Sequence, residues 1–176
     1  MSLLSRVAGH FDVRRVAFAA VGGVALAIRG VARSTFDIDL LVFDTVVLSD
    51  SFWALLERDG AQVEIRRGDA DDPLRGIVRL VSRDERSVDV VVGRGAWQEG
   101  VVKRAEPFSL LDVRLPVVRA SDLILLKLHA GGTQDLWDVT QLLDGDRDGD
   151  IAHEVQSRLG EVPRGAAIVW KRLREV

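Results

Sequence analysis

The chain has 176 residues, 47% of them hydrophobic and 29% charged, with a formal net charge of −3. That composition is globular and long enough for one solid core, and it excludes both a disordered polar tract and a uniformly basic duplex-binding surface. With no cysteine there is neither a disulfide framework nor a thiolate metal site.

Taken in chain order, residues 2–12 read as a short helix, and Val16 to Val21 as a strand running into Gly22-Gly23. Val24 to Ile28 has helical character and stops at Gly30; Phe36 to Phe43 reads as a strand carrying two aspartates. Ser49 or Asp50 is placed to cap a helix through Glu57 that Gly60 ends. Three strand-like runs follow, at 61–66, 76–82 and 87–92. The charged turn Arg83-Asp84-Glu85-Arg86 makes the last two an antiparallel hairpin. Residues 95–104 read as a helix, and 108–118 as one extended segment interrupted by Pro116. After Arg119 the pattern is helical: a helix from Ser121-Asp122 to a break at Gly131-Gly132, one from Thr133 to about Leu143, and two more near 150–160 and 163–174. The reading is α+β: a mixed lobe to residue 118, then a helical tail.

Chemistry concentrates in Phe36-Asp37-Ile38-Asp39-Leu40. On a strand Asp37 and Asp39 share a face, where two carboxylates repel and call for a cation or hydrogen-bond donors. A divalent metal supplies that compensation, since Mg²⁺ favours carboxylate oxygens and retains sites for phosphate. The plainer alternative is two acids at a strand end facing water. Asp89, alone among the valines of 88–92, also needs a partner. If its strand neighbours the first, three acids share one face and suit two-metal catalysis. Otherwise Asp89 pairs with Arg79 or Arg94. Gly22-Gly23 allows close approach of backbone N–H groups to an anion, or is only a turn.

Val21-Gly22-Gly23, thirteen intervening residues, then Asp37-Ile38-Asp39-Leu40 resembles the signature of the DNA polymerase β-like nucleotidyltransferase superfamily. Arg33-Ser34-Thr35 resembles the lead-in of several bacterial branches. Ser121 to Leu128 with Gln134-Asp135-Leu136-Trp137-Asp138 is similar to the later motifs of the AbiEii-like and MenT-like toxin nucleotidyltransferases, with Gln134 standing where those often have arginine. The resemblance implies a nucleotidyltransferase fold, a mixed β-sheet flanked by helices, in a core at 1–118 with a helical lobe at 119–176 packed on it. It implies transfer of a nucleoside monophosphate from an NTP to an acceptor hydroxyl. Asp37, Asp39 and Asp89 would be catalytic and would hold Mg²⁺ or Mn²⁺. Gly22, Gly23, Arg33, Thr35, Lys127 and Asp135 would bind the nucleotide. A tRNA end is the implied acceptor and a cognate antitoxin the implied partner; the lack of cysteine points to the cytoplasm, and the lack of an apolar run of roughly 20 residues to no membrane association. An aminoglycoside-type antibiotic is the alternative acceptor, and a degenerate nucleotide- or protein-binding module the non-enzymatic alternative.

Each remaining residue has a plainer role beside its functional one. Lys127 reaches a triphosphate or snorkels to water. Asp135 binds nucleotide or only stabilises a helix N-terminus. Asp138 orients Lys127 or an arginine. The three histidines show no ligand spacing, and the four tryptophans suit core positions. Asp144 to Gly149 copies the start of a calcium loop but places Val155, not glutamate, at its twelfth position; an acidic interhelical loop is expected.

Overall fold

Apolar residues at every second position build the sheet. Val88, Val90 and Val92 are fully buried on β5 (Val88–Gly93), as are Val78 and Leu80 on β4 (Leu74–Val81) and Leu40 and Val42 on β2 (Ile38–Val42). Their alternation commits one face of each strand to the core and leaves the other to carry polar residues such as Asp39, Arg79 and Asp89, with Leu41 of β2 buried among them. The computed structural model describes residues 1–32, 37–110 and 113–175. Within them are two compact units: residues 1–24 with 34–118, and residues 25–33 with 119–176.

The first unit holds a seven-stranded mixed sheet. With β1 (Phe18–Val21), β3 (Gln62–Arg67), β6 (Glu106–Leu110) and β7 (Val113–Val117), the order is β3-β4-β5-β2-β1-β7-β6. β4 and β5 pair antiparallel, as the charged turn between them demands, while β5 and β2 pair parallel. The apolar face is covered by α1 (Leu3–Arg14) and α3 (Asp50–Arg58). Phe11 of α1 meets Phe18 of β1 in a tilted contact at 5.0 Å between centroids, and Phe52 and Trp53 of α3 meet edge to face at 4.8 Å. Rings this close add about 0.5–1.5 kcal/mol per pair beyond area burial. Buried His10 belongs to the same cluster, its Nε2 2.7 Å from the Phe52 carbonyl. A 3₁₀ turn at Thr45–Leu48 leads into α3, and α4 (Ala96–Lys103) follows β5.

Two local expectations change. Residues 108–118 form a hairpin rather than one extended segment. Pro116 lies inside β7, directly across from Pro107 of β6, so the two residues lacking an N–H fall opposite each other. The helix after the glycine pair, α2 (Gly22–Ile28), begins at Gly22 itself.

The second unit is built on α5 (Ala120–Ala130), which packs against α6 (Thr133–Asp144), α7 (Asp150–Arg158) and α8 (Arg164–Arg174). α5 is buried from Ser121 to Leu125, as a central helix must be. Its buried Asp122 is met by Arg158 at 3.3 Å, and Glu154 by Arg158 at 2.7 Å and Ser121 at 2.9 Å. The calcium-like loop serves as a cap: Asp146 accepts from the backbone N–H of Ile151 and Ala152 at 3.2 and 2.9 Å. Trp53 and Trp170 are core residues, whereas Trp137 is 49% exposed. No helix among the described residues is long and apolar enough to cross a membrane.

Candidate active site

The polar face of the sheet carries one charged row. Strand registers set Glu64 of β3 opposite Arg79 of β4, Arg79 opposite Asp89 of β5, Asp89 opposite Asp39 of β2, and Asp39 opposite Val21 of β1. Cross-strand partners share a face, so Asp39 and Asp89 stand side by side on neighbouring parallel strands. The apolar residues between them in sequence turn the other way and anchor both strands in the core.

Gly22 closes the row at its β1 end. Its φ of +60° lies in the left-handed region, where a β-carbon is disfavoured. A methyl group added there would also lie 2.0 Å from Asp39 Oδ2. Backbone conformation and the approach of the Asp39 carboxylate thus both favour glycine at position 22. Gly23 occupies the next place in α2.

Asp37 lies one residue before β2. Arg79 donates to Asp37 Oδ1 at 3.2 Å, to Asp89 Oδ2 at 3.4 Å and to Ser87 Oγ at 3.3 Å. Ser87 in turn donates to Asp37 Oδ1. Of the two arginines considered as partners of Asp89, Arg79 is therefore the one that pairs, while Arg94 donates to the Asp69 and Leu74 carbonyls. Burial pushes the Asp89 carboxyl above the usual aspartate range; the Arg79 charge opposes that and the Asp37 charge adds to it. Asp89 Oδ1 is buried with no hydrogen-bond partner.

These residues suit a divalent cation by donor chemistry: three carboxylates, two of them in register, with an unsatisfied buried oxygen on Asp89. Among the described residues, no group of three or more His, Asp or Glu side chains is arranged to hold a metal ion. Arg79 stands between two of the acids instead.

In the helical unit, Lys127 is buried, and its ammonium donates to Asp138 at 2.5 Å and Asp135 at 3.1 Å. The lysine neither snorkels to water nor stands alone. Fully buried Asp138, placed behind Asp135 on sequence grounds, is its tighter partner, and Gln134 donates to Asp138 at 3.3 Å. Asp135 also accepts from the Gly132 N–H at 3.3 Å, at the start of α6. Arg33 and Thr35 lie outside the described residues.

Sequence reasoning missed Ser87 and treated Arg79 only as a rival partner for Asp89. The hairpin turn was the available signal, since it brings residue 79 across from residue 89.

Residues 12–165 match the family described as nucleotidyl transferase AbiEii toxin, Type IV TA system. No curated protein matches the chain in sequence. Among solved structures, the antibiotic-resistance factor ANT(2'')-Ia in solution is similar at TM-score 0.59 and 14% identity, covering 94% of this chain and 92% of that one. The crystal structure of ANT(2'')-Ia with adenylyl-2''-tobramycin matches at 0.59 and 15%, over 88% and 94%. A Thermotoga maritima protein described as a candidate nucleotidyltransferase matches at 0.56 and 13%, over 81% and 91%. At these identities the likeness is one of fold.

Proposed function

Because the chain belongs to the AbiEii nucleotidyl transferase toxin family, we propose that this nucleotidyltransferase moves a nucleoside monophosphate from an NTP to a hydroxyl at a tRNA end, using a divalent metal. The observation that carries this reading is the register of Asp39 with Asp89 beside a position 22 whose backbone and neighbours favour glycine.

Asp37, Asp39 and Asp89 are the residues that would hold Mg²⁺ or Mn²⁺. The metal would supply charge neutralisation on the triphosphate and a lowered pKa at the acceptor hydroxyl. Asp39 sits against the Gly22 backbone, so the phosphate-binding turn and the carboxylate are positioned by one contact. Asp89, half-buried and with its Oδ1 unpartnered, gains most from a cation and favours its binding. Gly22 and Gly23 open α2, where backbone N–H groups favour an anion. Arg33 and Thr35 are proposed phosphate contacts on sequence grounds. In the helical unit, Lys127 and Asp135 are the proposed nucleotide-binding residues; by its contacts, Asp138 orients Lys127.

A tRNA acceptor and a cognate antitoxin are supported by the toxin family and by the later sequence motifs. An aminoglycoside acceptor is the second reading, supported by the fold shared with ANT(2'')-Ia, whose crystal structure holds adenylyl-2''-tobramycin.

The test incubates the purified chain with Mn²⁺ and each labelled NTP, with total tRNA in one arm and aminoglycosides in another. Label on tRNA, lost in Asp39→Ala, is expected. Label only on the aminoglycoside moves the acceptor to the second reading. Nucleotide binding with no transfer to either acceptor overturns the proposal in favour of a binding module.

A further inference from the structure

We propose that Arg79 is an internal counter-cation of Asp37 and Asp89, and that it passes from them to Glu64 when a divalent cation takes the acids. This rests on the metal reading above and adds a residue and a movement to it.

The sheet places Arg79 between two sources of negative charge. Asp89 lies opposite it on one neighbouring strand and Glu64 opposite it on the other, all on one face. The guanidinium currently leans to the acid side, spanning Asp37 and Asp89. Glu64 is held by Arg66 at 2.8 Å, an exposed pair of the kind worth little in water. Glu64 can therefore accept a second guanidinium at small cost.

The present hold on the acids is incomplete. Arg79 reaches only one oxygen of Asp89, at 3.4 Å, and leaves the buried Oδ1 without a partner. A planar fork satisfying both oxygens would bind far more firmly. The side chain of Arg79 is also 44% exposed, so its guanidinium can turn across the open strand face without disturbing the core. A cation that divides itself between two carboxylates and leaves Asp89 Oδ1 without a partner is only loosely held there.

Arginine and a divalent ion compete for the same oxygens, and holding both there brings like charges together. With Arg79 in place the mutual repulsion of Asp37 and Asp89 is relieved. In return, metal binding must displace a guanidinium. Glu64, the opposite neighbour, lowers the cost of that displacement by receiving it.

The experiment measures Mn²⁺ affinity of the full chain without nucleotide, by calorimetry, for the wild type, Arg79→Gln, Glu64→Gln and the double variant. Circular dichroism verifies that each is folded. Arg79→Gln is expected to bind Mn²⁺ roughly tenfold more tightly, about the effect of two partly exposed ion pairs removed. Glu64→Gln should bind about threefold more weakly, on the scale of one exposed pair. The double variant should match Arg79→Gln, because no guanidinium remains for Glu64 to receive. Should Arg79→Gln fail to fold, Arg79→Lys carries the test, with a smaller tightening expected from its shorter, unforked stem.

Equal or weaker Mn²⁺ binding by the folded Arg79 variant overturns the counter-cation. An unchanged Glu64→Gln overturns the transfer to Glu64. Absence of Mn²⁺ binding in every variant, wild type included, instead overturns the metal reading on which both depend.

Discussion

Each unit sets one cation between two aspartates, and the outcomes are opposite. In the helical unit Lys127 is buried against Asp138 and Asp135, with Gln134 adding a further bond to Asp138. On the sheet Arg79 is half-exposed, reaches Asp89 at 3.4 Å and leaves Asp89 Oδ1 with no partner. The first arrangement compensates its charges and holds helices together. The second leaves a carboxylate in need of a cation, which is the condition expected of a site that takes a ligand. Proximity of charge is common to both; completeness of compensation separates them.

The largest test of this contrast is Asp39→Asn, which keeps the shape and removes the charge beside Gly22. Nucleotidyl transfer should fall by about a thousandfold or more, with unfolding by urea nearly unchanged, since loss of transition-state charge stabilisation has effects of that size. Activity near wild type would remove the sheet row from the mechanism.

Lys127→Met should lower stability as well as the nucleotide binding proposed for Lys127. Removing one partner of a buried pair costs about 3–5 kcal/mol, because Asp138 is left charged and uncompensated. Adding Asp138→Leu should recover much of that loss in urea melts. If the double variant is as unstable as the single, the pair is not what holds α5 to α6.

Gly22→Ala comes next. The left-handed backbone costs a β-carbon about 1–2 kcal/mol, and the new methyl meets the Asp39 carboxylate. Reduced stability and reduced transfer are both expected. If Asp39→Gly in the same chain restores stability but not transfer, the contact rather than the backbone is the cause.

The smallest effect is electrostatic. The Asp89 pKa is raised by burial, so the folded chain takes up that proton more readily than the unfolded one. This contribution to stability therefore falls as pH rises from the ordinary aspartate range through the raised value. Without metal at pH 7, Asp89→Asn should be more stable than wild type by about 1 kcal/mol or less, the gain fading at acid pH. Saturating Mn²⁺ should reverse the order, since only the wild type gains from binding.

The strands bearing the aspartates were legible because their apolar residues alternate or cluster and their ends are punctuated by glycine and charged turns. Asp37, Asp39 and the glycine pair were legible as one unit because they lie within eighteen positions of each other. The hairpin at 106–117 was misread because Pro116 suggested an interruption of one extended segment, where the fold sets it opposite Pro107. That Asp138 rather than Asp135 is the tighter partner of Lys127 was not legible, because a lone lysine on an apolar helix looks the same whichever acid it reaches.

Local sequence thus determined where charge enters apolar strands, where the chain turns, and the helical character of the tail. Which charges meet was decided only by tertiary structure. Strand order set Asp39 beside Asp89 and put Arg79 between Asp89 and Glu64, residues distant in sequence. Helix packing likewise brought Asp138 to Lys127. Periodicity is written in neighbouring residues; compensation of a buried charge depends on which distant element arrives against it.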